Sequence, residues 1–130
     1  MVIVDSSVWI EYLRGALHPE TVWLDRELQR QPLGLTDLIL YEVLQGTRDS
    51  AFAQVQSDLL KFHVFRNCSL PLAIAAANNY RTLRSKGVTV RATVDCMIAT
   101  FCLKNHHRLL HRDRDFDAFE KHLALQVVHP

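Results

Sequence analysis

The chain has 130 residues, 48% hydrophobic and 22% charged, a composition that excludes disordered and collagen-like classes and a length that fits one domain, residues 1–130. Fifteen Lys and Arg against 14 Asp and Glu leave a formal charge of +1, which neither demands nor excludes a nucleic-acid partner. Three cysteines without CxxC spacing argue against a disulfide framework, and the longest apolar run, Val94–Leu103, is too short to cross a bilayer.

In chain order, Val2–Val4 reads as a short buried strand, and Ser6 or Ser7 caps a helix to about Arg14 that Gly15 ends. Pro19 suits the first position of a second helix, to about Arg30, and Leu33–Leu35 is a second strand. Thr36 or Asp37 caps a third helix that stops near Gly46, and Asp49 or Ser50 starts a fourth, to about Lys61. His63–Phe65 is a weak strand, and Pro71 opens a long helix that ends at Gly87. Thr93 caps a helix from Val94 to about Asn105. Arg108–Leu110 is a strand, Phe116–Leu123 a short helix, and Leu125–Val128 a last strand. Short aliphatic strands separated by helices predict an α/β fold with a mainly parallel sheet and helices on both faces. No basic segment followed by an apolar stretch opens the chain, so a reducing cytoplasm is the expected location, with no membrane partner.

Sites in open α/β folds form at the carboxyl ends of the strands. Asp5 stands there after the first strand, and Asp113 and Asp115 stand beyond the Arg108–Leu110 strand. Glu42 lies in LILYEVLQG, on a helix apolar almost all round and therefore expected to be buried on most sides. Asp95 lies in the first turn of an equally apolar helix, TVDCMIATFCL. Each acid has a bland explanation taken singly: a cap for Asp5, Asp113 or Asp115, and the helix dipole for Asp95. Glu42 resists one, because a Glu on such a helix is rarely fully buried unless paired. If the acids converge, two carboxylates ~5 Å apart repel by about 3 kcal/mol at an effective dielectric near 20, and three make roughly 10 kcal/mol. Protonation, an arginine or a divalent cation relieves this, and an all-oxygen pocket suits Mg²⁺ or Mn²⁺ over Zn²⁺.

Four stretches carry a family resemblance: VIVDSSVWIEYLRG, LTDLILYEVLQG, TVDCMIATFCLKN and LLHRDRDFDAF. In this order, over nearly the whole chain, they resemble the PIN-domain ribonucleases, and most closely the VapC-type toxins of bacterial toxin–antitoxin pairs. The resemblance implies a three-layer α/β/α sandwich with a parallel sheet. It implies a metal-dependent endoribonuclease that acts as a toxin and inhibits translation, using one or two Mg²⁺ or Mn²⁺ ions. It places Asp5, Glu42 and Asp95 in the three principal acidic positions and gives the fourth to Asp113 first and Asp115 second. Asp5 and Asp95 are the expected direct ligands, and Ser6 matches a hydroxyl residue beside the first acid. His111 stands where many members have Thr or Ser. The implied partners are an RNA substrate (tRNA, rRNA or mRNA), a second copy in a homodimer, and a cognate VapB-type antitoxin in a heterotetramer or larger complex.

Cations near these stretches are candidate RNA contacts: Arg84, Arg91, Arg112 and Arg114 foremost, with Arg14, Arg48, Arg81 and Lys86 behind them. Solvated helix ends account equally well for any one of them. Trp9, Tyr12 and Trp23 read as core or dimer contacts, the cysteines as buried fillers, and His106 and His107 as opposite faces of a strand. A phosphoaspartate receiver fails because Asp5 has two serines after it and no lysine stands at a strand end. A haloacid-dehalogenase-like phosphatase fails because Asp-Ser-Ser replaces Asp-x-Asp. The surviving alternatives are a housekeeping PIN nuclease without an antitoxin and a module that binds RNA or protein without cutting.

Overall fold

The computed structural model describes every residue from Met1 to Pro130. Four strands, β1 (Val2–Val4), β2 (Leu33–Thr36), β3 (His63–Phe65) and β4 (Arg108–Leu110), form one sheet in the order β3-β2-β1-β4. All three pairings are parallel, with Val2 opposite both Leu33 and Arg108. Seven helices flank it: α1 (Ser6–Leu13), α2 (Pro19–Glu27), α3 (Asp37–Gln45), α4 (Asp49–Leu59), α5 (Leu70–Ser85), α6 (Thr93–Lys104) and α7 (Asp117–Leu123). α1 packs on α2 and α3, and α5 packs on α6 and α7, giving the expected α/β/α sandwich.

β1 is wholly apolar and wholly buried because it lies inside the sheet with helices over both faces. Its side chains join Leu35, Ile39, Leu109 and Phe116 in one continuous core. β2 and β3 approach closely at Gly34. A Cβ there would meet the Met1 sulfur at 2.9 Å and the His63 carbonyl at 3.1 Å, so a side chain at this position would crowd the backbone of β3.

Several expectations need correction. The cap of α1 is Asp5, not either serine, because the carboxylate at the strand end reaches the Ser7 N–H. α6 begins at Thr93 and is preceded by Ala92, which offers no side-chain cap. The long helix starts one residue before Pro71, with Ser69 accepting from the Leu72 N–H. Leu125–Val128 makes a single parallel bridge, Val127 to Leu109, instead of a full strand. His106 has φ 57 and lies in the turn before β4, so it does not share a strand with His107. Only Cys96 and Cys102 are buried; Cys68 is exposed. On α3 only Ile39 and Val43 are buried, and Tyr41 is 64% exposed, so that helix is amphipathic after all. Trp9 and Trp23 are core residues, while the Tyr12 hydroxyl reaches the surface and donates to Asp25.

Candidate active site

The parallel sheet aims the carboxyl ends of β1, β2 and β4 at one edge, and the acids collect there. Asp5 ends β1. Its N–H donates to the Leu110 carbonyl at 2.9 Å, which continues the ladder one residue past the strand. The side chain turns back as the cap of α1. Oδ2 accepts the Ser7 N–H at 3.0 Å and the Ser7 hydroxyl at 2.6 Å, leaving Oδ1 buried without a partner. The residue is 3% exposed. Burial raises its carboxyl above the ordinary carboxylate range, with the Ser7 bonds pulling the other way.

Glu42 comes from the second turn of α3 and is half-buried. The Ser6 hydroxyl donates to its Oε1 at 3.1 Å. Partial burial raises the Glu42 carboxyl, and the charges of Asp5 and Asp113 add to that, against the Ser6 bond. Asp95 lies in the first turn of α6 and is 8% exposed. The helix dipole favours a carboxylate there. Burial wins, and with the repulsion of Asp5, Asp113, Glu42 and Asp115 it pushes this carboxyl up to about 7.

Asp113 and Asp115 follow β4. Asp113 caps a 3₁₀ turn, Arg114–Phe116, by accepting the Asp115 N–H on Oδ1 at 2.9 Å. The Asp113 N–H donates to His111 Nδ1 at 3.1 Å. Phe116, fully buried, packs at 4.9 Å from the His111 ring and fixes the turn to the core. Burial lowers the pKa of His111 while Asp5, Asp117, Asp113 and Glu120 oppose it.

One oxygen from each of Asp95, Asp113 and Asp115 lies within 4.8 Å of the others. Asp5 and Glu42 flank this group closely enough to raise Asp95. Asp95 thus has both late acids within reach of one ion, with Asp5 the strongest single charge acting on it, and the grouping makes no choice between Asp113 and Asp115. These residues fit a hard divalent cation. Every donor is an oxygen, Asp5 Oδ1 lacks a partner, and Asp95 otherwise holds a proton near neutral pH.

Arg84, Arg91, Arg112 and Arg114 are all exposed. Arg112 and Arg114 border a polar cavity of about 320 Å³ that Asp113, Glu20 and the C-terminal residues Val127–Pro130 also line, beside the acidic cluster and touching it only through Asp113. Arg112 lies 3.5 Å from Glu20. Arg84 sits on the α5 surface, 5.9 Å over the Tyr80 ring. Arg14 and Arg48 instead flank a groove between α1, α3 and α4.

Sequence reasoning singled out Ser6 and passed over Ser7. The two serines divide the work: Ser6 holds Glu42 and Ser7 holds Asp5. The available signal was the spacing itself, since a strand-end Asp followed two residues later by a hydroxyl is the pattern of a side-chain cap.

The model of the PIN domain family matches residues 2–122, so the chain belongs to that family, whose nucleases generally use divalent metals. Within it, the relationship is to VapC: ribonuclease VapC11 of Mycobacterium tuberculosis is 31% identical over 131 residues, covering 98% of both chains. Among solved structures, VapBC2 from Rickettsia felis bound to a promoter DNA fragment gives a TM-score of 0.75 at 15% identity, covering 98% of each chain. VapC20 of Mycobacterium tuberculosis, described as a sarcin–ricin loop cleaving toxin, gives 0.69 at 19% identity, covering all of each chain.

Proposed function

We propose that this chain is a single endoribonuclease domain, residues 1–130, acting as the toxin of a VapBC-type pair and hydrolysing RNA phosphodiester bonds with Mg²⁺ or Mn²⁺. The observation that carries the reading is the Asp95, Asp113 and Asp115 oxygen group, within 4.8 Å, in a chain whose relatives are named as ribonucleases. When bound, the divalent ion supplies Lewis-acid stabilisation of phosphoryl charge and makes water easier to deprotonate. Asp95, Asp113 and Asp115 would hold it, with Asp5, whose Oδ1 has no other partner, as the further candidate ligand. Glu42, its Oε1 tied to Ser6, keeps Oε2 free to accept a proton from the attacking water. Arg112 and Arg114, which line the cavity beside Asp113, bind phosphates near the bond to be cut.

Two surfaces support the assembly. The groove of about 550 Å³ lined by Ile10, Leu13, Val43 and Val55, with Arg14 and Arg48 at its rim, suits an apolar antitoxin segment with an acidic flank. The exposed stripe of α5, with Leu70 82% and Ile74 64% exposed, suits a second copy of the chain. Asp5→Asn and Asp95→Asn test the nuclease reading. Each is expected to reduce RNA cleavage by about 10²–10⁴-fold while the circular dichroism spectrum stays native. Parental cleavage by either variant would mean the site is misplaced.

A further inference from the structure

We propose that Ser7 is a positioning residue for the acidic site, tying the turn that carries Asp113 and Asp115 to the strand end that carries Asp5. The inference rests on the metal-site reading only for its effect on metal uptake; the tie itself is a matter of hydrogen bonds. The Ser7 hydroxyl has one proton, and it goes to Asp5 Oδ2 at 2.6 Å, the shortest side-chain bond at the site. A lone pair of the same oxygen accepts the Arg112 N–H at 3.0 Å, across 105 residues of sequence. The polarity is therefore determined: Arg112 N–H to Ser7 Oγ, and Ser7 O–H to Asp5.

Two consequences follow from this chain of bonds. Asp5 is clamped through Oδ2 by both the N–H and the hydroxyl of Ser7, so its rotamer is set and Oδ1 is left as the free oxygen. The backbone past β4 is also held two residues beyond the last ladder bond, Asp5 N–H to the Leu110 carbonyl. Asp113 is the next residue after Arg112, and its carboxylate in turn holds the Asp115 N–H. One hydroxyl thus sets the separation of acids that come from opposite ends of the chain. Ser6 has no such reach, because its hydroxyl goes to Glu42 alone.

The test compares Ser7→Ala, which deletes the tie, with Ser7→Thr, which keeps the hydroxyl. Thr21→Val removes a buried hydroxyl of the α1–α2 corner, bonded to the Ala16 carbonyl at 2.7 Å, and serves as the control for lost stability. The first readout is hydrogen exchange of the Arg112 amide in the metal-free protein. Exchange should accelerate at least about 10-fold in Ser7→Ala and stay parental in Ser7→Thr and Thr21→Val. The second is Mn²⁺ binding by calorimetry on the protein alone. Affinity should fall about 10–100-fold in Ser7→Ala, with Ser7→Thr restoring it to within about threefold. Unchanged Arg112 exchange in Ser7→Ala, or an equal loss of Mn²⁺ affinity in Thr21→Val, would overturn the proposal. If the parental protein takes up no Mn²⁺ while Arg112 exchange responds as stated, the metal reading fails and the tie stands.

Discussion

Asp95 shows most clearly how position and chemistry compete at a single residue. The first turn of a helix welcomes a carboxylate by about 0.3–1 kcal/mol. Burial and four neighbouring acids outweigh that and push the carboxyl up to about 7, so ionising it destabilises the metal-free fold. A folded pKa raised above the unfolded one adds stability that is complete below the ordinary carboxylate range and is lost as pH rises through about 7. The metal-free protein should therefore gain melting temperature as pH is lowered from about 8 to about 6.5. Below that window His107 and His111, whose pKa values burial lowers, oppose the gain because the unfolded chain takes up protons first. Asp95→Asn should raise the metal-free melting temperature at pH 8 and flatten its pH dependence; an unchanged slope would show that Asp95 is not the titrating group. Asp5, Asp113 and Asp115 could be singled out from their strand-end positions and Asp95 from its apolar helix, whereas the reason given for Glu42, a helix apolar all round, does not hold in the fold. Ser7 was missed because a serine near a helix start has an ordinary explanation, and nothing local reveals a partner 105 residues away.

The elements were readable where hydrophobic pattern and punctuation agreed, as at β1, β4 and the Pro19 and Gly15 boundaries of α1 and α2. They were misread where tertiary contacts decide. α3 looked apolar all round, yet only Ile39 and Val43 find the core, because the sheet meets one side of that helix. The last segment, Leu125–Val128, has strand composition but only one bridge to β4. Gly34→Ala puts a methyl against the backbone of β3 and should cost about 1–3 kcal/mol in chemical denaturation, since the His63 carbonyl cannot give way as a flexible side chain does. Phe116→Ala removes the anchor of the turn bearing Asp113 and Asp115 and should cost about 3–5 kcal/mol. It should also weaken Mn²⁺ binding, whereas Gly34→Ala should not.

For the whole molecule, a net charge of +1 conceals local contrast: acids gather at the carboxyl edge of the sheet, and Arg112 and Arg114 flank Asp113 in the chain beside them. Such an arrangement repels RNA from the acids themselves and leaves the two arginines to position the backbone, so added salt should weaken RNA binding. The α5 stripe makes a separate claim. On the proposed pairing through this stripe, the parental protein sediments as a dimer and Ile74→Arg as a monomer with unaltered Mn²⁺ binding; a monomeric parent, or a variant with the parental coefficient, would contradict that pairing. The central claim, that folding gathers these carboxylates to hold a hard divalent cation for cutting RNA, is tested most directly by one comparison. Purified protein is incubated with total cellular RNA in Mg²⁺ or Mn²⁺, and in excess chelator, beside Asp95→Asn. Discrete cuts are expected only for the parental protein with metal present; undiminished cleavage in chelator, or by Asp95→Asn, would contradict a metal site built on these carboxylates.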